Sequence, residues 1–431
     1  MRTSMRITTY CLLASLFIMA LALTTLPAGE IHLRPTANAI PPQFFGMHFH
    51  RLDTTTSWPR DIDIHTWRLL GTYIMWPNLE PQKGQWNFTL LDKLLGLAEE
   101  HHVEVLLPLV LSPPWASARP TEQSSYSPGN AAEPKNIADW EDYIRTVATR
   151  YKGRIHYYEV WNEPNAKNFW SGPMRQLVEL ACSAYSIIKR VDRSAQVSSP
   201  PFVLKSGLVA FDAYLRAGGG KCADIIGYHL YVSPGPPEEM VGLIQQVREI
   251  MNKNGVANKP LWNTESGWPI ENEQSVVKPV PGGGYLSVVL PPDEAASYLA
   301  RAFILSWASG VSRFYWYSWD NYEMGLVDHD GKTLKSPAIA YGEIQKWLIG
   351  ARMDSCDTDA KGTWTCAVSR EGGYRGWILW NPNGRRTFNL PLPPQWNVTR
   401  TRDLLGHMSS LASGASFEVS IMPHLLEAPG R

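Results

Sequence analysis

Two glutamates stand in matching surroundings 102 residues apart. The first is Glu163, in Tyr158-Glu159-Val160-Trp161-Asn162-Glu163-Pro164-Asn165, and the second is Glu265, in Leu261-Trp262-Asn263-Thr264-Glu265-Ser266-Gly267-Trp268. Paired carboxylates are what cleavage of a glycosidic bond needs. One stays protonated and gives its proton to the leaving oxygen, while the other is ionised and attacks the anomeric carbon or activates water. A separation of about 5 Å gives retention of configuration, and about 6.5–9.5 Å gives inversion. Burial and mutual repulsion raise the pKa of the acid. A single Glu after a strand is weak support, since a surface Glu or one at a helix N-terminus reads the same way. Two of them, each with Trp and Asn alongside, are a much more specific pattern. Glu159 lies four residues before Glu163 and reads as a residue of a barrel layer, not as a catalytic group.

The elements around the pair predict where it points. Short apolar runs alternate with amphipathic helical stretches, the pattern of βα units on a parallel sheet. Eight strands are expected near Phe44–Phe49, Thr66–Leu70, Val103–Val110, Ile155–Trp161, Gln196–Ser199, Asp224–Leu230, Pro260–Thr264 and Val311–Ser318. Helices are expected at Leu90–Glu100, Ile137–Arg150, Met174–Lys189, Glu238–Asn252, Asp293–Ser309 and Ala338–Leu348. The crossover between His50 and His65 is short and holds a proline, so any helix there is stunted. The fold class is therefore α/β, a (β/α)8 TIM barrel over residues 40–350. Glu163 and Glu265 end the fourth and seventh strands, and the C-terminal strand ends form the active face of such a barrel. From residue 351 to 431 short β-like runs dominate, which predicts a small C-terminal antiparallel, β-sandwich-like domain. The segment 30–34 precedes the barrel and can pair with that domain.

Composition narrows the function classes. In 431 residues, Lys plus Arg and Asp plus Glu number 40 each, so no charge excess points to nucleic acid or an anionic membrane. The 18 Trp suggest stacking on sugar rings, with a large aromatic core as the alternative. Residues 1–28 read as a signal peptide: Arg2 and Arg6, an uncharged run from Tyr10 to Leu26, then small residues. The run is also long enough to serve as an uncleaved anchor. Secretion or periplasmic export follows. Cys11 lies in that run, and the other four cysteines allow three disulfide pairings. The hairpin-like spacing of Cys356 and Cys366 favours that pair, leaving Cys182 with Cys222. No Cys or His spacing matches a zinc site, and neither a metal nor another cofactor is expected.

The motifs together resemble the clan A retaining glycoside hydrolases, and most closely glycoside hydrolase family 39, whose members include β-xylosidases and bacterial exopolysaccharide endoglycosidases. Trp161-Asn162-Glu163-Pro164-Asn165 matches the clan's Asn-Glu-Pro signature. The resemblance covers roughly Phe44 to Gly350. It implies that Glu163 is the acid/base and Glu265 the nucleophile, and that Asn162 bonds the sugar 2-hydroxyl. It implies that Arg68 holds the nucleophile ionised, that His229 or Tyr231 contacts it, and that Trp316 floors the −1 subsite. Glu80, in a Leu-Glu-Pro element, matches a structural position. His48 and His50, two apart at the end of the first strand, are candidate sugar contacts. Trp115, Trp170, Trp268 and Trp319 are candidate subsite edges or walls. Pro279–Leu290, with three consecutive glycines, is an extra-looking loop after the seventh strand.

The expected function is retaining hydrolysis of a β-linked, neutral oligosaccharide or polysaccharide, with endo action favoured. An exo-acting β-xylosidase-like enzyme, a transglycosylase and a non-catalytic carbohydrate-binding protein are the alternatives.

Overall fold

The computed structural model describes residues 30–272, 287–383, 388–412 and 416–428. The expected leader, Cys11 and most of the glycine-rich loop lie outside the described residues. The loop's ends are joined, however: Glu271 N–H donates to the Leu290 carbonyl at 2.9 Å, and Ile270 bridges Leu290.

The chain opens with β1 (His32–Leu33), β2 (Phe45–Met47) and β3 (Thr66–Arg68). No helix separates β2 from β3, as the short crossover predicts. Then come α1 (Trp76–Leu79), α2 (Thr89–Glu100), β4 (Glu104–Leu109), α3 (Ile137–Arg150), β5 (Tyr157–Val160) and α4 (Met174–Val191). The next strand is interrupted, as β6 (Gln196–Ser198) and β7 (Phe202–Val203), and α5 (Leu208–Arg216) follows. The barrel ends with β8 (Ile226–His229), α6 (Glu239–Lys253), β9 (Leu261–Ser266), α7 (Pro292–Ala308), β10 (Val311–Trp316) and α8 (Ser336–Leu348). All pairings in this nine-stranded sheet are parallel, in the order β6-β5-β4-β3-β2-β10-β9-β8-β7. A parallel bridge from Ser198 to Ile225 joins β6 to the segment before β8, so the sheet returns on itself. The domain is TIM-barrel-like.

Its strands are buried almost throughout, because helices cover the outside and side chains fill the inside. Leu106, Ile225, Trp262 and Tyr315 form the inner cluster. Helix α4 buries Leu177, Leu180, Ala181, Ala184, Ile187 and Ile188, one apolar stripe at helical spacing. Helix α3 starts where Asn136 accepts from Ala138 N–H, a side-chain cap of about 1 kcal/mol. The Cys182–Cys222 disulfide ties α4 to the turn after α5.

Antiparallel structure follows: β11 (Arg352–Thr358), β12 (Trp364–Ser369), β13 (Arg375–Trp380), β14 (Phe388–Pro391), β15 (Arg400–Arg402), β16 (Met408–Ser410), β17 (Ser416–Val419) and β18 (His424–Ala428). One sheet runs β1-β11-β12-β13-β18-β15-β16, and β14 pairs with β17 separately. The segment before the barrel therefore does join this sheet, through Leu33 opposite Cys356. Cys356 and Cys366 face each other across β11 and β12 and are disulfide-bonded. Core side chains of this sheet, Trp364, Trp380 and Cys366, belong to the same buried cluster as the barrel's outer layer. Glu238 fastens the junction by accepting from Trp380 Nε1 at 2.8 Å and pairing with Arg301 at 3.1 Å.

Candidate active site

Glu163 and Glu265 come together at the C-terminal ends of the barrel strands. An oxygen of Glu163, an oxygen of Glu265 and a ring nitrogen of His229 all lie within 4.8 Å of one another. Oxygens this near are compatible with retention and closer than the roughly 6.5–9.5 Å that leaves room for an inverting water. Glu163 is reached by a strained turn: Trp161 (φ 61°) and Glu163 (φ 44°) both adopt left-handed backbone conformations. Each costs on the order of 1–3 kcal/mol for a residue with a side chain, and such strain concentrates at functional sites. Neighbouring strands hold the turn, since Trp161 N–H donates to Leu109 O at 2.9 Å and Glu163 N–H to Pro201 O at 3.1 Å. Asn165 bonds the Val203 backbone on the next strand from both ends of its amide.

The two carboxyls have unlike partners. Glu265 accepts from Arg68 Nη1 at 2.8 Å on one oxygen and from the Tyr231 hydroxyl at 2.9 Å on the other. Those two bonds, one to each oxygen, fix the orientation of the Glu265 carboxyl. Glu163 faces His229 Nδ1 at 2.8 Å. Burial drives the Glu163 pKa up to about 7, with Arg68 pulling it partway back. Burial lowers the His229 pKa to about 3, with the Glu265 charge opposing. The imidazole is therefore neutral, and its Nδ1 can donate to the Glu163 carboxylate or accept a hydrogen bond from the protonated carboxyl, depending on its tautomer. At neutral pH the site holds one carboxyl able to keep a proton beside one held by a cation and a phenol.

Arg68, fully buried, organises the floor. Besides Glu265 it binds Glu159 through Nε at 2.7 Å and Nη2 at 2.5 Å, and donates from Nη2 to Asn162 Oδ1 at 2.9 Å. Asn162 is thus anchored by its oxygen, which leaves its NH2 group to act as a donor. His48 sits at the same level, its Nε2 3.0 Å from the Thr264 carbonyl. His48 and His50 both pack edge-on against the Tyr317 ring, at 5.2 and 5.0 Å. Asp320 accepts from the His50 and Arg51 backbone N–H groups and fixes that loop.

The tryptophans depart from expectation. Trp316 does not line the site: it stacks on Trp268 at 5.8 Å and on Phe303 of α7 at 6.3 Å, in the layer between barrel and helices. Strand alternation explains this. Tyr315 fills the barrel interior, so Trp316 points outward and Tyr317 inward again. The aromatic wall is therefore Tyr317, two residues past Tyr315 and legible from that parity. Trp268 is buried against Trp316 and Tyr298 and donates to the Gly235 carbonyl, so it is no subsite edge. Trp319 is buried beside Phe49. Trp115 packs on Trp76 and donates to the Glu80 carbonyl, away from the catalytic pair. Trp170 packs edge-on against Trp161. Nine tryptophans are less than 2% exposed, so the aromatic richness mostly builds the core. Glu80 is structural, bonding Trp76 Nε1 and Gly84 N–H.

Two further residues reach the site. Tyr126, in the loop after β4, is 42% exposed as a residue and feels the charges of Glu265, Arg68 and Glu163. Burial and the Glu265 carboxylate raise its pKa. Its loop is tied to the loop after β5, where Ser125 N–H donates to Asn168 O at 2.9 Å and Tyr126 meets the Phe169 ring. Nothing in the local sequence marks Tyr126, because the long loop carries no periodic pattern. Gly267 shapes the mouth, since a Cβ there would come within 2.0 Å of the Tyr317 carbonyl oxygen.

Comparison with known proteins agrees with this geometry. The sequence model of the family described as "Glycosyl hydrolases family 39" matches residues 60–283, a span that contains both glutamates. A beta-xylosidase of Caldicellulosiruptor saccharolyticus is 28% identical over 151 residues, 33% of this chain and 30% of that protein. A beta-xylosidase of Geobacillus stearothermophilus is 26% identical over 208 residues, 42% of this chain and 40% of that protein. The matched regions thus span less than half the length of these curated relatives. Among solved structures, a family 39 glycoside hydrolase from Bacteroides cellulosilyticus WH2 superposes with a TM-score of 0.68 at 18% identity, over 90% of this chain and 81% of that one. With a family match over half of its length and the paired glutamates at the ends of β5 and β9, the chain belongs to glycosyl hydrolase family 39.

Proposed function

We propose that the protein is a retaining glycoside hydrolase that cleaves a neutral β-linked glycan by double displacement. The observation that carries this reading is the close approach of two carboxyls with unlike partners, one beside a neutral imidazole and one on a cation. In the first step a Glu265 oxygen attacks the anomeric carbon. The glycosidic C–O bond breaks, and Glu163 gives its proton to the leaving oxygen. In the second, Glu163 takes a proton from water, whose oxygen displaces Glu265 and completes hydrolysis. Asn162, held by Arg68, offers its NH2 to the sugar 2-hydroxyl, a bond that strengthens in the transition state. His48, His50, Tyr317 and Tyr126 surround the same space and supply neutral contacts.

A neutral sugar is supported by the fate of the one guanidinium that reaches the pair among the described residues. Arg68 spends its donors on Glu159, Glu265 and Asn162, so it has no face left for a substrate carboxylate. Our leading reading is endo action on a polysaccharide. Exo action of the kind named in the two beta-xylosidase relatives is the second reading, and rests on their names. Action outside the cytoplasm fits two disulfides and the expected leader. No helix among the described residues is long and apolar enough to cross a membrane.

The test is a panel of neutral β-glycans and aryl β-glycosides. Wild-type protein is expected to release new reducing ends from at least one, and Glu265→Gln to lower that rate by about 10³-fold or more. Oligosaccharide products early in the reaction support endo action, and monosaccharide alone supports exo. Binding without cleavage by the wild-type chain, or full activity in Glu265→Gln, would overturn the assignment.

A further inference from the structure

Glu159 is the third carboxyl of the site and has no part in the double displacement. It is fully buried inside the barrel, and Gly227 on β8 leaves room for it, since a Cβ there would sit 3.3 Å from its Oε2. Its Oε1 accepts from Arg68 Nε at 2.7 Å and lies 2.5 Å from Nη2, while Glu265 accepts from Nη1 at 2.8 Å. One cation is therefore divided between two carboxylates, with the larger share on the one that never meets substrate. Burial pushes the Glu159 pKa up, and the Arg68 charge and the Thr264 hydroxyl oppose that rise by favouring the ionised form.

We infer that Glu159 is a positioning residue that divides the charge of Arg68, so that Glu265 is oriented by the guanidinium without being neutralised by it, and Glu163 keeps its proton. This rests on the retaining-hydrolase reading. If Arg68 met Glu265 alone, the closed ion pair would weaken Glu265 as a nucleophile. The undivided cation would also draw the proton off Glu163 at lower pH. The groups that bear on this balance are Arg68 on β3, Glu265 and Thr264 on β9, His48 after β2, and His229 and Tyr231 on and after β8, with Tyr126 above. Both histidines are pushed toward the neutral form by burial, so Arg68 is the fixed positive charge among them.

The test compares pH–rate profiles of wild type, Glu159→Gln, Glu159→Asp and Thr264→Val on a glycan the wild type cleaves. Glu159→Gln keeps the acceptor oxygen and removes the charge. Its base limb is expected to move to lower pH by about 0.5–1 unit, with kcat reduced roughly tenfold and KM changed less. Glu159→Asp keeps the charge and should hold the limb in place. Thr264→Val removes a partner of the ionised form and should move the limb the same way by less, which carries the test if Glu159→Gln does not fold. A substrate-free readout is the Glu163 carboxyl titration by 13C NMR, identified by its loss in Glu163→Gln. It should show a lower midpoint in Glu159→Gln than in wild type. An activity loss with limb and midpoint unmoved would make Glu159 a packing residue and overturn the inference. A wild-type protein that cleaves no glycan, yet shows the midpoint shift, would instead count against the hydrolase reading alone.

Discussion

The two ends of the barrel each bury an arginine, and they use it differently. At the N-terminal end of the strands, Arg313 pairs with Glu104 at 2.6 Å and bonds the Tyr157 hydroxyl at 3.1 Å. Its guanidinium lies 4.3 and 4.4 Å from the Tyr157 and Trp262 ring centres. One cation meets one carboxylate and two aromatic faces, an arrangement that balances charge and packs the barrel floor. At the C-terminal end, Arg68 meets two carboxylates, with a third carboxyl close by. One cation serves two carboxylates there, and burial lets the third carboxyl, Glu163, hold a proton. The same residue type stabilises one end and leaves the other chemically poised, which matches the division of labour between the faces of such barrels.

Substitutions should separate the two ends. Arg68→Met removes the cation shared by Glu159 and Glu265, and is expected to lower kcat/KM by about 10³-fold or more and to destabilise the fold as well. Arg313→Met is expected to cost about 2–4 kcal/mol of stability, read as a lower denaturant midpoint. Its kcat/KM should stay within about threefold of wild type. Equal activity losses in the two variants would erase the contrast. The subtler effect is in pH. In the proposed double displacement Glu163 is protonated for the first step, and burial places its pKa at about 7. Below that value the acid is loaded; as pH rises through it, kcat should fall by about tenfold per unit. A rate that stays level to pH 9 would remove Glu163 from the acid role.

Much of the barrel was legible because its signals are local. Strand runs, amphipathic helices and the missing first helix each follow from a few neighbouring residues. Helix α5 (Leu208–Arg216) is too short to show a clear periodic stripe, and β11, β16 and β18 carry apolar alternation that is weak or brief. The paired glutamates, Asn162, Arg68, His229 and Tyr231 are visible as motifs. Their partners are not. Tyr231 meets Glu265 while His229 meets Glu163, and only the three-dimensional barrel decides which goes where. Trp316 attracted attention for its ring, although parity with Tyr315 directs Tyr317 inward. Glu159 reads as an interior residue from sequence, but its hold on Arg68 spans 91 positions in the chain.

The central claim is retention through Glu265, and the stereochemistry of the first product tests it most directly. Proton NMR of a fresh reaction on a cleaved β-linked glycan should show the β anomer first, with the α form growing later by mutarotation. Initial release of the α anomer would contradict the account, because it requires a single inversion with water in the place assigned to Glu265.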